Sequence, residues 1–369
     1  MALIKVDLIT NEGTFRGLAK QNILFHQCIG ELVDNAIASV EEGKKFKIDI
    51  IFSEREGKDI VDLVITDNGR GMTAEVLQKA LQLGESATKD NRLNEHGFGL
   101  KNALATLSGG NGTWQLWTRT AGADKFCSVK GPFRPQMEIR DDADAPEFDL
   151  LPSDYSTVVK VPVKLAFVQT LQGRGAKGTN LDVLRGWLIE HLGVLYRGFL
   201  ELDDKTGDNR GVITVHVGKN KKNVPAIPVP FAKFQKERFV VLLDGVEYPF
   251  EYRFGSIDPV KKDELVGGEK AKFYYQGNIP TQGIDIRLGK RTIATRQFET
   301  IWRDKSGSQL SRHNGYNDFV GELIIPQVPR GLLTTVNNKT DFNLDDPNWE
   351  KIFEELRACL HKAVECDFL

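Results

Sequence analysis

Hydrophobic and polar positions follow two different periods along the first half of the chain. Apolar residues at helical spacing predict helices over about 15–40, after Thr73 and from about residue 100. Runs rich in Ile and Val predict strands at 46–52, 60–66, 113–120 and 156–163. Because the helices do not alternate with every strand, this order predicts an α+β sandwich in which helices cover one face of a mixed sheet.

The pattern breaks at a Gly-rich polar segment, QTLQGRGAKGTN at 169–180, which we interpret as an interdomain linker or a mobile loop. Helical spacing resumes at 181–202, and four strand patterns follow: VITVHV, FVVLLDG, GIDIRLG and GELIIP. A terminal helix is predicted over 349–366. The sequence therefore predicts two domains, residues 1–168 and residues 181–369.

Composition places the chain among ordinary globular proteins. Its 369 residues are 40% hydrophobic and 27% charged, which is enough for two domains with separate cores. No run of about 18 apolar residues occurs, and the N-terminal stretch MALIKVDLITNEGTF lacks the apolar core of a signal peptide. We therefore expect a cytoplasmic protein with no membrane partner.

Charge is balanced overall but uneven locally. The formal net charge is −2, from 49 basic and 51 acidic residues, so the whole chain does not indicate a nucleic-acid-binding protein. One stretch is basic, with only Glu299 and Asp304 opposing its positive side chains, which are Arg287, Lys290, Arg291, Arg296, Arg303, Lys305 and Arg312. Such a stretch is most often a solvated face, and contact with DNA is the alternative.

Cysteine and histidine positions give no pattern for a metal site. The cysteines have neither the spacing of a zinc site nor that of a disulfide framework, so reduced structural thiols are expected at Cys28, Cys127, Cys359 and Cys366. His96 and His191 have no paired acid or base in the sequence, and we expect them to be solvated or core histidines.

The predicted N-terminal helix carries polar residues within an apolar stretch, GELVDNAIAS at 30–39. Glu31 and Asn35 are four residues apart, so a helix places them on the same face, one turn apart. The Asn35 amide oxygen is a hard ligand suited to Mg²⁺ that bridges phosphate groups. Glu31 could orient or deprotonate an attacking water molecule. The spacing therefore allows both side chains to act on one ligand.

Two Gly-rich turns carry the remaining candidate chemistry. DNGRGM at 67–72 follows a strand directly; its glycines allow the backbone to approach a flat ligand, and Asp67 can accept a hydrogen bond from an exocyclic amine such as that of adenine. HGFGLK at 96–101 opens a helix, whose first amide groups form a natural anion site beside Lys101. A tight turn is the simpler interpretation of the first motif when it is taken alone.

Together the three motifs closely resemble the signature boxes of the GHKL (Bergerat-fold) ATPases, the superfamily of gyrase, the ninety-kilodalton heat-shock chaperones, MutL and histidine kinases. ExxxN matches Glu31 to Asn35, DxGxG matches Asp67 to Gly71, and GFG matches Gly97 to Gly99. The resemblance implies that residues 1–168 form a Bergerat-fold domain that binds ATP and Mg²⁺.

The resemblance also implies individual roles. Glu31 would be the general base and Asn35 the magnesium ligand. The ATP-binding residues would be Asn35, Asp67, Gly69, Gly71, Met72, Gly97, Phe98, Gly99, Leu100, Lys101 and Thr157. The ATP lid would run from about Glu85 to His96. Within it the family pattern GxxGxG has a glycine where this chain has Asn94, a residue that tolerates positive φ better than most.

The second half resembles the transducer domain of gyrase, MutL and especially MORC ATPases, a smaller α+β domain. TVNNKTDF at 335–342 is similar to its lysine loop, in which Lys339 would reach the γ-phosphate and join Glu31 in catalysis. GIDIRLGKRTIATRQFETIW at 283–302 is similar to a strand pair of the MORC transducer. The chain has neither the coiled coil nor the CW-type zinc finger of eukaryotic MORC proteins, and it looks like a minimal prokaryotic form.

By this resemblance the protein is an ATP-gated homodimer that clamps DNA, with partner proteins and a restriction or anti-phage defence context as further implications. The alternative is a chaperone-like ATPase, which has the same ATP site but acts on protein clients. A protein kinase of the histidine type is a third interpretation. The transducer-like half and the position of Glu31 argue against it.

Overall fold

Two β-sheets organise the chain, one in each of the two units of the computed structural model. The first unit is Met1–Arg185 with Val212–Lys222, and the second is Gly186–Gly211 with Asn223–Leu369. The structure describes residues 12–20, 23–55, 59–84, 93, 97–148, 150–173, 175–177, 180–203, 206–303, 306–336 and 341–365, with side chains up to 357. The functional division predicted at 169–180 stays a prediction.

Most elements of the first unit form where the hydrophobic pattern predicts them. The helices are α1 (Glu12–Leu18), α2 (Phe25–Ser39), α3 (Ala74–Leu81), α4 (Gly99–Leu107) and α5 (Leu165–Val168). The strands of its sheet are β1 (Phe46–Glu54), β2 (Ile60–Asp67), β3 (Gln115–Thr118), β4 (Phe126–Lys130), β5 (Ile139–Ala143), β6 (Thr157–Lys164), β7 (Gly211–Val217) and β8 (Asn220–Asn223). Their order across the sheet is β5-β4-β3-β6-β2-β1-β7-β8.

The first sheet buries both of its faces. Helices α2 and α4 pack against each other and contact the sheet at β1 and β6. Alternate residues of each strand point to opposite faces, so Ile50 and its neighbour Ile51 enter different layers. The layer with Ile51 also holds Val64, Trp117, Phe126 and Val158, and loop residues Phe148, Leu151 and Tyr155 pack against it. The predicted α+β fold class is confirmed.

The single helix predicted over 15–40 is wrong in its continuity. The structure has α1 and α2 instead, and the residue before α2, Leu24, is extended, with φ −83° and ψ 161°. Apolar spacing alone does not reveal this break, because residues on both sides of it contribute to the same core. Phe15 of α1 and Phe25 of α2 are both buried.

The predicted Gly-rich segment begins as a packed turn. Residues Gln169–Gln172 form a 3-10 helix in which Leu171 is buried. The hydroxyl of Thr170 accepts a hydrogen bond from Phe25 N at 3.3 Å, and it donates to Phe167 O at 2.7 Å. The first backbone amide of α2 is therefore held by the start of this segment.

The second unit contains the other sheet. Its helices are α6 (Leu181–Leu195, which begins in the first unit), α7 (Arg197–Leu200), α8 (Pro259–Asp263) and α9 (Pro347–Glu365). Its strands are β9 (Phe231–Leu243), β10 (Val246–Ile257), β11 (Gly283–Leu288), β12 (Arg291–Gln297) and β13 (Phe319–Ile325), in the order β12-β11-β13-β10-β9. Strands β11 and β13 are parallel, and the other pairs are antiparallel. Helix α9 contributes Trp349, Ile352, Phe353 and Leu356 to the core of this unit.

Strand pairing differs from the sequence prediction in two respects. The run VITVHV, predicted in the second domain, is β7 and joins the first sheet. Strands β4, β5, β8 and β10 were not predicted, and β5, β8 and β10 carry too many charged or exposed residues for a buried-strand pattern. The misplacement of β7 arises because a strand's partner is chosen by contacts that are distant in the sequence.

A buried charge cluster lies in the second unit. The guanidinium of Arg197 donates to Glu322 Oε1 and Asp285 Oδ2 at 2.9 Å each, and to Tyr275 Oη at 2.7 Å. Tyr275 in turn donates to Asp285 Oδ2 at 2.5 Å. Burial raises the pKa of Glu322, but the charges of Arg197 and two further arginines lower it below its usual range. The cluster therefore holds its charges by mutual pairing.

Candidate functional site

A polar corner forms where β2 ends in the first unit. Asp67 is the last residue of β2, and its Oδ1 accepts hydrogen bonds from Gly69 N at 2.9 Å and from Ser156 Oγ at 3.3 Å. Ser156 N also donates to Asp67 O at 2.8 Å. The carboxylate is thereby fixed at the sheet end by the turn that follows β2 and by the residue that precedes β6.

Burial changes the acidity of this carboxyl group. Removal from water raises the pKa of Asp67 from 3.8 to about 6, although hydrogen bonds from Gly69 N and from the hydroxyls of Ser156 and Ser39 oppose the rise. A carboxyl group with this pKa is still ionised at neutral pH, and it can accept hydrogen bonds from a ligand.

Two glycines of the DNGRGM turn are required by their surroundings. Gly71 has φ +67°, and a Cβ placed there would lie 1.8 Å from Arg119 O. A Cβ at Gly69 would lie 1.7 Å from Ser39 Oγ. The turn therefore packs directly against Arg119, the residue that follows β3, and against the end of α2. Any side chain at either position would move the turn away from Asp67.

Thr157 lies beside Asp67, as the resemblance implies. The two residues are opposite each other in the β2–β6 pair, and Thr118 of β3 is opposite Thr157 on its other side. The two threonine hydroxyls are 3.1 Å apart, and Thr118 Oγ1 accepts a hydrogen bond from Met72 N at 2.9 Å. The residues from 67 to 72 and the start of β6 thus form one corner.

The helix that carries the ExxxN motif meets the third motif. Glu31 is 2% exposed, and a Cβ at Gly99, the first residue of α4, would lie 2.0 Å from Glu31 Oε2. Glycine at this position therefore lets the carboxylate reach the first turn of α4. Asn35 is half-buried, and its buried Nδ2 has no hydrogen-bond partner among the described residues. Glu31 of the ExxxN motif and Gly99 of the GFG motif are thus in contact in the structure.

Lys101 occupies a different place from the one its motif suggested. It is 1% exposed, and its Nζ donates to Ala80 O at 2.9 Å, at the C-terminal end of α3. A cation at a helix C-terminus is favourable because the last carbonyl groups carry partial negative charge. Contact with a phosphate group stays a prediction for this residue.

Several predicted residues lie outside the described part of the chain. They include Lys339 and its neighbours 337–340, and the lid residues 85–96 apart from Leu93, so that Asn94 and His96 are among them. Gly97, Phe98 and Leu100 are described, and all three are half-buried around the start of α4. Gly97 has φ +65°, a conformation that glycine adopts without strain.

The residues present fit a magnesium-bound purine nucleotide. Asp67 supplies an acceptor beside a turn with no side chains at Gly69 and Gly71, which suits a flat base. Asn35 supplies an amide whose buried nitrogen donates no hydrogen bond among the described residues, so no described acceptor fixes the orientation of this side chain. No group of three or more His, Cys, Asp or Glu side chains forms a metal cluster in the described ranges. A metal here would thus depend on one protein ligand plus phosphate oxygens, as Mg²⁺ commonly does.

The sequence did not single out three of the corner's residues. Ser39, Thr118 and Ser156 each contact the Asp67 turn or Thr157, but they lie in different segments. Only the strand register that places Asp67, Thr157 and Thr118 in one row would have revealed Thr118 and Ser156. Ser39 lies one turn after Asn35 on α2, which was the available signal for it.

Comparison with known proteins supports this assignment of the site. Residues 20–131 match the family described as Histidine kinase-, DNA gyrase B-, and HSP90-like ATPase. This range contains the Glu31, Asp67 and Gly99 motifs. The matched residues are therefore similar to a GHKL ATPase domain.

Two curated relatives narrow the resemblance within that class. The chain is 32% identical over 82 residues to Protein MICRORCHIDIA 5 of Arabidopsis thaliana, covering 21% of this chain and 11% of the relative. It is 26% identical over 186 residues to Protein MICRORCHIDIA 1 of the same plant, covering 43% of this chain and 28% of the relative. The likeness to GHKL and MORC ATPases is confirmed, although the matches span less than a third of either relative.

The structure also bears on the predictions made for the histidines, the cysteines and membrane-spanning helices. His191 is buried, and its Nδ1 lies 3.1 Å from Tyr274 Oη, so it is a core histidine. Cys28 and Cys127 are free thiols. Among the helices that the structure describes, none combines the length and apolar character needed to cross a bilayer.

The basic stretch from 287 to 312 is largely engaged with the protein itself. Arg287 Nη1 lies 3.2 Å from Glu201 Oε2, and Arg312 Nε lies 2.9 Å from a carboxylate oxygen of Glu299. The guanidinium of Arg291 stacks on a tyrosine ring at 4.5 Å from its centroid. These contacts favour a structural role for the arginines over contact with DNA. Lys305 lies outside the described residues.

Proposed function

We propose that this chain is an ATP-dependent molecular clamp that binds and hydrolyses ATP with Mg²⁺ and acts on DNA as an ATP-driven homodimer. The observation that carries the proposal is the contact of Glu31 with Gly99 in the same unit that holds Asp67 opposite Thr157. One unit thereby presents a base-binding corner and a carboxylate at a helix N-terminus. The family match over residues 20–131 supports the ATP part of the proposal.

The described residues have separate roles in the proposed reaction. Asp67 accepts a hydrogen bond from the adenine amine, and Gly69, Gly71 and Thr157 leave room for the base beside it. Glu31 accepts the proton of the attacking water molecule. Asn35 holds Mg²⁺, which when bound neutralises phosphate charge. The first amides of α4 bind phosphate oxygens, because they have no partners within the helix.

The clamp part of the proposal rests on the likeness to MORC proteins. ATP binding would order the lid and the N-terminal segment against a second subunit, and Lys339 would bind the γ-phosphate. Hydrolysis would release the clamp. A cytoplasmic location and a defence context belong to the same proposal. Lys339, the lid apart from Leu93, and residues 1–11 lie outside the described part of the chain.

The test is steady-state ATP hydrolysis by the purified protein with and without long double-stranded DNA, at low and at higher salt, with Glu31→Ala as the blank. Salt-sensitive stimulation by DNA is the expected result, because phosphate contacts weaken as counterions compete. Turnover that is absent from the wild-type protein under all conditions would reject the ATPase proposal. Turnover that DNA does not change would reject the DNA partner alone.

A chaperone-like ATPase with protein clients is the second candidate function. It is favoured by the arginine contacts in the stretch 287–312, because Arg287, Arg291 and Arg312 are already paired or stacked within the protein. Under this alternative, ATP turnover would respond to an unfolded protein substrate and not to DNA. The same hydrolysis assay with both additives separates the two functions.

Asp67→Asn is expected to lose ATP binding. The amide presents a donor where the carboxylate presents only acceptors, and the contact between Asp67 Oδ1 and Gly69 N at 2.9 Å is weakened. Binding of a non-hydrolysable ATP analogue, measured by calorimetry, checks this result. Asp62→Asn, at a β2 residue that pairs with Arg55 and not with the turn, is the matched control. Full affinity in Asp67→Asn would remove Asp67 from the base-binding role.

Adenosine binding is expected to weaken as the pH falls through about 6. The pKa of Asp67 is raised from 3.8 to about 6, so the group is ionised above that pH and protonated below it. Protonation replaces an acceptor by a donor at the position proposed for the adenine amine. Adenosine is the suitable ligand because it has no phosphate groups that titrate in this window. An affinity that stays constant across the window would contradict the assignment.

A further inference from the structure

The hairpin formed by β7 and β8 carries a concentrated positive charge. Its sequence from 217 to 224 is VGKNKKNV, and Lys219, Lys221 and Lys222 are all exposed. Gly218, with φ +54°, begins a two-residue turn that places Lys219 at the tip. Lys221 and Lys222 are consecutive residues of a strand, so they point to opposite faces of the edge. The edge therefore presents positive charge at its tip and on both faces.

The position of this hairpin in the fold is fixed. Strand β8 is the last strand of the first sheet, and Gly218 N donates to Phe52 O of β1 at 3.2 Å. Arg185 Nη1 donates to Asn220 O at 3.0 Å. The turn is therefore attached to the sheet, and its lysines are held at a defined place.

The opposite edge of the same sheet is acidic. Strand β5 has the sequence IRDDA, and Asp141 and Asp142 are exposed there. Asp144 follows directly, and it pairs with Lys125. Although the net charge of the chain is only −2, its first sheet thus has one basic and one acidic edge. A polyanion is attracted to β8 and repelled from β5.

Lysines on an edge strand also have a structural use, since they prevent the edge from pairing with another chain. In β8 this protection is already supplied in part by Arg185, which occupies the backbone oxygen of Asn220. An added strand is therefore a poor fit for this edge. Lys219 and Lys221 form no ion pair or hydrogen bond with any described side chain. Their ammonium groups remain available to an external anion.

We propose that the β7–β8 hairpin contacts the phosphate backbone of double-stranded DNA. The stretch 217–224 has no aromatic or arginine side chain that could stack on a base, and His216 of β7 is buried beside Asp49. The contacts of the hairpin are therefore sequence-independent point charges on phosphate oxygens. This inference rests on the proposed clamp function and names a contact surface for it. That surface differs from the stretch 287–312.

The test compares Lys219→Gln/Lys221→Gln with Lys130→Gln/Lys233→Gln, which removes the same charge from exposed lysines on β4 and β9. Binding of a fluorescently labelled mixed-sequence duplex is measured over a series of salt concentrations. The hairpin variant is expected to lose affinity by on the order of tenfold at low salt, and its salt slope falls by up to about 2, at ~0.9 per phosphate contact. The control variant keeps the wild-type slope, and both variants keep DNA-independent ATP turnover.

Three outcomes overturn the inference. If the hairpin variant binds DNA as the control variant does, the surface is wrong and the proposed function stands. If the wild-type protein hydrolyses ATP but does not bind the duplex, the DNA partner of the proposed function fails as well. If vesicles of anionic phospholipid bind the wild-type protein, DNA does not, and the hairpin variant loses vesicle binding, the lysines recognise a membrane surface instead.

Discussion

Glu31→Ala is expected to abolish ATP turnover while ATP binding persists. In the proposed mechanism Glu31 takes a proton from the attacking water molecule, and removal of a general base lowers a rate by about 10²- to 10⁴-fold. Its carboxylate lies at the first residue of α4 and not in the Asp67 corner, so the base-binding contacts remain. The measurements are steady-state hydrolysis and binding of a non-hydrolysable analogue to the same preparation.

Glu31→Gln is the isosteric companion to this variant. It keeps the size of a side chain that is 2% exposed and packs against Gly99, so a loss of turnover in Glu31→Gln is chemical and not a consequence of a cavity. Asp67→Asn provides the opposite phenotype, because it is expected to lose binding itself. Equal loss of analogue binding in Glu31→Ala and Asp67→Asn would refute the division of roles between the two carboxylates.

Arg197→Met is expected to lower the free energy of unfolding by about 3–5 kcal/mol, because it leaves buried carboxylates without their counter-charge. Arg197 is fully buried and binds Asp285, Glu322 and Tyr275. Chemical denaturation followed by tryptophan fluorescence measures the change. The matched control is Arg238→Met in the same unit, whose side chain is 74% exposed beside Glu251 and for which at most about 1 kcal/mol is expected.

A rescue variant distinguishes the two possible causes of this destabilisation, which are the loss of charge pairing and the loss of packing. Arg197→Met combined with Asp285→Asn and Glu322→Gln removes the uncompensated charges, and stability should return in part.

Acidification gives a second readout: the folded-state pKa of Glu322 is lowered, so its contribution to stability is present above its unfolded-state pKa and is lost as the pH falls. An Arg197→Met protein as stable as Arg238→Met would show that the cluster is energetically neutral.

Local sequence patterns were sufficient to predict much of the candidate site. Glu31 and Asn35 lie on one helix at a fixed spacing, and Asp67 stands between a strand and its own Gly-rich turn, so short-range rules apply to both. The contact of Glu31 with Gly99 was not predicted. No periodicity connects residues that are 68 positions apart in the printed sequence.

The errors of prediction share a physical cause. Strand β7 joined the first sheet, because its partner strand is distant in the chain. The hydrogen bond from Lys101 to the end of α3 was not foreseen for the same reason, while contact of Lys101 with a phosphate group stays a prediction. The arginines between 287 and 312 appeared as a charged face, since a sequence does not show which carboxylates fold back onto them. Ser156 was missed for the same reason. Its relation to Asp67 exists only in the β2–β6 pair.

The Arg197 cluster has a consequence for synthesis of the protein. Glu322 follows Arg197 by 125 residues, so a ribosome that adds ~5–20 residues per second produces the carboxylate about 6–25 s after the guanidinium. During that interval the nascent second unit has no completed charge cluster to bury. Closure of its core around Arg197 therefore requires that β13, which carries Glu322, has already been synthesised.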